Sequence, residues 1–153
     1  MKAVQDFEDL LALLEKHQVR YLIIGGLAFI YHAKPRYTKD MDIWVDFSLE
    51  NLAKANAALK EFGSPDALSA ERNDEVLQMG MAPNRIDFFL RIEGMAFEEA
   101  WDTRVQGSYG ESVANWIGLD SLLKIKSGID KPKHQEDARV LREVKKLRKS
   151  WKF

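Results

Sequence analysis

The order of apolar and polar positions divides the chain into short helices and strands. Over residues 3–17, Phe7, Leu10, Leu11 and Leu14 recur at the spacing of one helical face. Val19–Ile24 is a near-continuous apolar run, the pattern of a central strand covered on both sides. Gly25 and Gly26 follow at once, then a short helix over Leu27–His32 that Pro35 helps to end. A polar, basic loop, Lys34–Lys39, leads into Asp40–Val45, where Met41, Ile43 and Val45 alternate with Asp40 and Asp42 as in a half-buried strand. Leu52, Ala55, Leu59 and Phe62 predict a helix over Leu49–Phe62, with Gly63 as its stop. Residues 64–74 have no period and read as a loop. Glu75–Met81 and Arg85–Ile92 predict a hairpin around Ala82-Pro83-Asn84, with Ile86, Phe88, Leu90 and Ile92 on one face and Arg85, Asp87, Phe89 and Arg91 on the other. A short helix over Ala96–Asp102 turns Phe97, Ala100 and Trp101 inward, and Thr103–Ile117 holds one or two short strands around Gly110. Leu119–Gly128 is helical, capped by Gly118 or Asp120, and Asp130–Lys133 breaks it. His134–Trp151 is a last helix with Ala138, Leu141, Val144, Leu147 and Trp151 in register. Neither a repeat nor a second domain is visible, so a single α/β domain over residues 1–153 is expected.

Composition narrows the partners. At 153 residues the chain can bury about two-thirds of its unfolded surface. No apolar run approaches the ~20 residues of a membrane span, so no membrane partner is expected. The start, MKAVQDFEDLL, has acids where a secretory signal has its apolar run, and a cytoplasmic location is expected. The absence of cysteine excludes disulfides and cysteine-zinc sites. Net charge is −1, but residues 131–153 hold nine Lys and Arg against three acids. That basic end can follow a nucleic-acid backbone, or be the charged outer face of a packed helix, which is the commoner case.

The candidate chemistry begins with Asp40 and Asp42. Side chains two apart on a strand share a face, so these carboxylates project side by side. Aspartate is depleted in strands, and like charges so close raise each other's pKa unless a cation sits between them. Metal binding is favoured over a solvated, frayed strand start. Hard oxygen ligands select Mg²⁺ or Mn²⁺ over zinc. Asp87 adds a third carboxylate from another strand; otherwise it pairs with Arg85, Arg91 or Arg36. Three such acids suit two metals ~3.5–4 Å apart, the arrangement used in phosphoryl and nucleotidyl transfer. Asp46 lies on the same face but ends the strand. Gly25-Gly26 lets backbone N–H groups approach a phosphate, or serves only a positive φ. Arg36, Thr38 and Lys39 contact a triphosphate or form a solvated loop. Lys124 and Lys126 share a helix with Leu122, Leu123 and Ile125; one can point into a cleft, and a solvated lysine is the alternative. His17, His32 and His134 show no ligand spacing.

Taken together, Gly25-Gly26, Arg36-x-Thr38-x-Asp40-x-Asp42 and the isolated Asp87 in Arg85-Ile86-Asp87-Phe88 resemble the nucleotidyltransferase superfamily of the DNA polymerase β type. The run Gln78–Asp87, then Phe97-Glu98-Glu99-Ala100-Trp101, Leu122-Leu123-x-x-Lys126 and Lys131-Pro132-Lys133 are similar to small stand-alone prokaryotic nucleotidyltransferases, including those grouped with the abortive-infection toxin AbiEii. The resemblance implies a small mixed sheet flanked by helices that binds a nucleoside triphosphate and Mg²⁺ or Mn²⁺. It implies transfer of an NMP to an acceptor hydroxyl of RNA, protein or a small molecule, with release of pyrophosphate. Asp40, Asp42 and Asp87 would ligate metal, and Asp87 would help deprotonate the acceptor. Gly25 and Gly26 would cradle the triphosphate, with Arg36, Thr38 and Lys126 beside it. The alternative is a nucleotide-binding module of a toxin–antitoxin type without turnover. Two positions depart from the family pattern: Gly26 stands where many members carry Ser, and His134 stands where relatives often carry Asp, with Asp137 three residues on.

Overall fold

The computed structural model describes residues 3–38, 40–81 and 84–150. Its elements run α1 (Gln5–Lys16), β1 (Tyr21–Ile24), α2 (Gly25–His32), β2 (Asp40–Val45), α3 (Leu49–Phe62), β3 (Leu77–Met79), β4 (Arg85–Phe89), α4 (Phe97–Asp102), β5 (Val105–Tyr109), β6 (Ser112–Trp116), α5 (Leu119–Ser127) and α6 (Pro132–Ser150). Local chemistry accounts for most of them. The stripe Phe7, Leu10, Leu11 and Leu14 is buried along α1. Ser48 caps α3 by accepting the Asn51 N–H, and Gly63 ends it at φ +98°, a left-handed conformation that costs glycine no Cβ clash.

The six strands form one mixed sheet in the order β3-β4-β2-β1-β6-β5. β1 pairs antiparallel with β2 and parallel with β6; β2 pairs parallel with β4. All four β1 residues are buried, as its apolar run predicts for a central strand. Helix α1 packs on α3 and β6, α2 on β1 and β2, and α5 on α6. Buried Asn51 ties these parts together: its side chain accepts the Arg20 N–H at 2.8 Å and donates to the Arg20 and Asp46 carbonyls.

The structure departs from the sequence pattern in places and resolves it in others. Gly25 and Gly26 form the first turn of α2 rather than a linker before it. Strand β2 is half-buried only at its start. From Ile43 both faces are covered, and Trp44 meets Phe97 edge to face. The ambiguous stretch after α4 is the β5–β6 hairpin, which becomes β1's parallel neighbour. Helix α6 starts two residues early, on Pro132, where a missing N–H costs nothing. Its apolar register holds through Ala138 and Leu141, whereas Leu147 is 61% exposed, because 19-residue α6 outruns its 9-residue partner α5. Trp151 and the turn residues Ala82 and Pro83 lie outside the described residues.

Candidate active site

Parallel pairing of β2 with β4 sets Asp42 opposite Asp87 and Asp40 opposite Arg85. Strand alternation then puts all four side chains on one face. Asp40, Asp42 and Asp87 offer carboxylate oxygens that all lie within 4.8 Å of one another. Arg85 spans two of them: its Nη2 donates to Asp40 Oδ2 at 2.7 Å, and its Nε lies 3.1 Å from Asp87 Oδ1 without the alignment of a hydrogen bond. Of the three arginines the sequence offered Asp87, Arg85 is the one that meets it; Arg91 is exposed and Arg36 is engaged elsewhere. Burial pushes the Asp42 carboxyl up to about 7, helped by the charges of Asp40 and Asp87 and opposed by Arg85 and Lys126. Burial also raises the Asp87 carboxyl, against the pull of Arg85. Among the described residues, Asp42 Oδ1 and Asp87 Oδ1 are buried without a hydrogen-bond partner. Buried carboxylate oxygens left this way are costly, and a hard divalent cation would satisfy them. The donor set therefore fits a divalent ion.

The glycines bring the start of α2 against this corner. Ile24, the last residue of β1, pairs with Asp42, and the chain enters α2 through Gly25 at φ +68°. A Cβ on Gly25 would lie 2.2 Å from Asp42 Oδ2, and one on Gly26 would lie 2.9 Å from Thr38 Oγ1. Among the described residues no side chain caps α2, whose first N–H groups have no partner within the helix.

A cleft of about 500 Å³ joins the acids to a set of cations; Gly25, Gly26, Arg36, Tyr37, Thr38, Asp40, Asp42, Lys126, Lys133 and His134 line it. Asp87 closes the corner from behind, only 5% exposed. Arg36 and Lys126 come from distant segments and meet on Asp137. Arg36 donates to both its oxygens at 2.7 and 3.1 Å, and Lys126 Nζ lies 2.9 Å from Oδ2. Burial would raise the Asp137 carboxyl, but the hydrogen bonds from Arg36 and Lys126 outweigh it and hold it below the usual carboxylate range. His134 Nδ1 lies 3.2 Å from Lys126 Nζ, and burial, with the Lys126 charge, lowers that imidazole. Lys126 is thus a buried member of the cleft, whereas Lys124 is exposed and pairs with Glu99. Of the other histidines, His17 contacts Glu61, and buried His32 bonds the Ile117 carbonyl. Lys39 lies outside the described residues.

Sequence reasoning missed Asp137 as the acid shared by Arg36 and Lys126, and missed His134 as a lining residue. The available signal was their spacing: three apart on a helix, they share a face. Asp137→Asn is expected to cost about 1.5–3 kcal/mol at pH 7, the range for a hydrogen bond to a charged group, read by urea unfolding. The native Asp137 pKa lies below its unfolded value, so its stabilisation is complete above about pH 4 and is lost as pH falls through the native value. The variant should therefore lose less stability than the wild type between pH 5 and pH 2 (roughly the titration range).

No family model and no curated protein matches the chain. Solved structures do. The lincosamide antibiotic adenylyltransferase LnuA, in its lincomycin-bound form, aligns over 94% of this chain and 99% of its own, with 17% identity and a TM-score of 0.61. ANT(2'')-Ia in complex with adenylyl-2''-tobramycin aligns over 94% of this chain and 93% of its own, with 16% identity and a TM-score of 0.56. An antigenic nucleotidyltransferase-like protein from Paracoccidioides brasiliensis aligns over 92% of this chain and 74% of its own, with 15% identity and a TM-score of 0.56. Among the described residues no helix is long and apolar enough to cross a membrane. With its mixed six-stranded sheet and flanking helices, the chain has the fold of the nucleotidyltransferases.

Proposed function

We propose that the protein is a divalent-metal-dependent nucleotidyltransferase that moves an NMP from an NTP to an acceptor hydroxyl and releases pyrophosphate. One observation carries this reading: an acidic corner from β2 and β4 and a cationic wall from Arg36 and Lys126 share one cleft beside the start of α2. Asp40, Asp42 and Asp87 would hold Mg²⁺ or Mn²⁺, a role supported by their hard oxygens and by the two buried oxygens that make no hydrogen bond among the described residues. When bound there, the ion would neutralise charge on the phosphoryl oxygens and acidify the acceptor hydroxyl. The N–H groups at Gly25 and Gly26 and the positive end of α2 would receive the triphosphate. Arg36 and Lys126 would pair with its oxygens, and the Thr38 hydroxyl would donate to them. The acceptor oxygen bonds to the α-phosphorus as the bond to the β-phosphate oxygen breaks. Pyrophosphate leaves with that electron pair, and the acceptor proton passes to Asp87. The cations are already fixed on Asp137, so little reorganisation is needed as charge develops.

The likeness to LnuA and ANT(2'')-Ia, whose structures hold lincomycin and an adenylylated tobramycin, makes a hydroxylated small molecule the first acceptor class to assay and ATP the first nucleotide. RNA and protein follow. The experiment incubates each α-labelled NTP with Mn²⁺ and these acceptors in turn. Label should transfer with the wild type and be lost with Asp87→Asn; transfer surviving that substitution would remove Asp87 from the chemistry. Tight nucleotide binding without any product would favour the non-turnover, toxin–antitoxin type of module instead.

A further inference from the structure

The face that carries the three acids carries a fourth side chain in register. Arg85 stands opposite Asp40 and two residues before Asp87. Its guanidinium engages Asp40 Oδ2 and approaches Asp87 Oδ1, one oxygen from each of two members of the donor set. Among the described residues no other Lys or Arg pairs with Asp40, Asp42 or Asp87; Lys126 and Arg36 are both taken up by Asp137. The Arg85 side chain is 36% exposed, against 7% for Asp87, so the cation has a way out that the carboxylate lacks. Its Nε is buried with no aligned hydrogen bond, so attraction of charge rather than a fixed fork holds that end.

We infer that Arg85 is the resident counter-ion of the acidic corner, and that a divalent cation binds there only by displacing it. This rests on the metal-binding reading of Asp40, Asp42 and Asp87. A guanidinium and a divalent ion repel strongly at the few ångströms that separate one donor set's oxygens, and the exposed, long arginine is the partner able to move. Displacement has a consequence for the order of binding. Free metal must evict a charge and leave it without a partner. Metal carried by a polyphosphate brings anionic oxygens to which the released guanidinium can re-pair. Arg85 thus weakens the corner's hold on bare metal and favours the metal–nucleotide pair.

The test is a Mn²⁺ titration by calorimetry, with no nucleotide, of the wild type and of Arg85→Gln, joined to a crystal structure of the wild type soaked in Mn²⁺. Arg85→Gln should bind Mn²⁺ at least about tenfold more tightly, the scale expected from removing one like charge from the site. The soaked crystal should show the guanidinium off both carboxylates. Equal or weaker Mn²⁺ binding by a folded Arg85→Gln overturns the inference, as does a Mn²⁺-bound structure with Arg85 still on Asp40 and Asp87. Were the variant to misfold by circular dichroism, the wild-type crystal alone decides. If neither protein binds Mn²⁺, the metal-binding reading fails and takes this inference with it; if both bind equally, only the displacement fails.

Discussion

Asp42→Asn is expected to abolish nucleotide transfer while raising the melting temperature of the metal-free protein at pH 8. The two effects share one cause. Asp42 is half-buried beside Asp40 and Asp87, and its carboxyl is pushed up to about 7 from its ordinary 3.8. A carboxyl whose native pKa is raised keeps its proton longer in the folded state than in the unfolded one. Between about pH 4 and 7 the folded state therefore binds more protons, and stability falls as pH rises through that window. Above it, the metal-free protein carries the whole penalty. Discounted for the residue's partial exposure, that penalty is roughly 1–3 kcal/mol, and its removal should lift Tm by about 2–12 °C. The amide keeps the shape and removes the charge. A wild-type melting curve that falls from pH 5 to pH 8 in EDTA more steeply than that of Asp42→Asn is the expected result. Excess Mn²⁺ should reverse the ranking, since only the wild type keeps three carboxylates for it. Transfer should drop by about 10³-fold, the several kcal/mol of charge stabilisation a metal-ligand acid supports. A variant no more stable than wild type at pH 8 would show that Asp42 is not strained by its neighbours.

Gly25→Ala is expected to damage fold and chemistry together. Two separate penalties fall on that residue. Its φ of +68° is strained for any residue with a Cβ, and the added Cβ would lie 2.2 Å from Asp42 Oδ2. Backbone strain of about 1–2 kcal/mol and overpacking of about 1–3 kcal/mol apply, so stability should fall by about 2–5 kcal/mol. Asp42 must shift to relieve the contact, and a 1 Å displacement of a reacting group costs about 10²-fold in rate. Gly63→Ala separates the two penalties. Its φ is +98°, yet nothing lies within 4 Å of a Cβ there, so it should show the backbone cost and leave transfer unchanged. Should Gly25→Ala behave like Gly63→Ala in both assays, the close approach of α2 to Asp42 does not matter to the site.

Much of the site was legible because its parts are local. The alternation around Asp40 and Asp42 put both acids on one face, and an acid between Ile86 and Phe88 singled out Asp87. Gly25 and Gly26 marked a close approach without saying to what. The cationic side was harder. Lys126 sits among apolar helix residues, where a solvated lysine is the usual outcome, and the sequence marks Asp137 only by its spacing from His134, not as the partner of Lys126. The β5–β6 hairpin was ambiguous because its strands carry Gly107 and polar residues, and its identity is decided by pairing beside β1.

The sequence by itself determined most of the helices and strands and the shared face of the two β2 acids, because periodicity and side-chain direction act over a few residues. Only the tertiary structure decided that Asp42 faces Asp87, since that depends on a parallel register set by core packing across the α3 crossover. It also decided that Arg85 meets Asp40 across 45 residues, and that Arg36 and Asp137 meet across 101. Ion pairs form between whichever charges the buried sheet and helices bring together, and no local pattern encodes that choice.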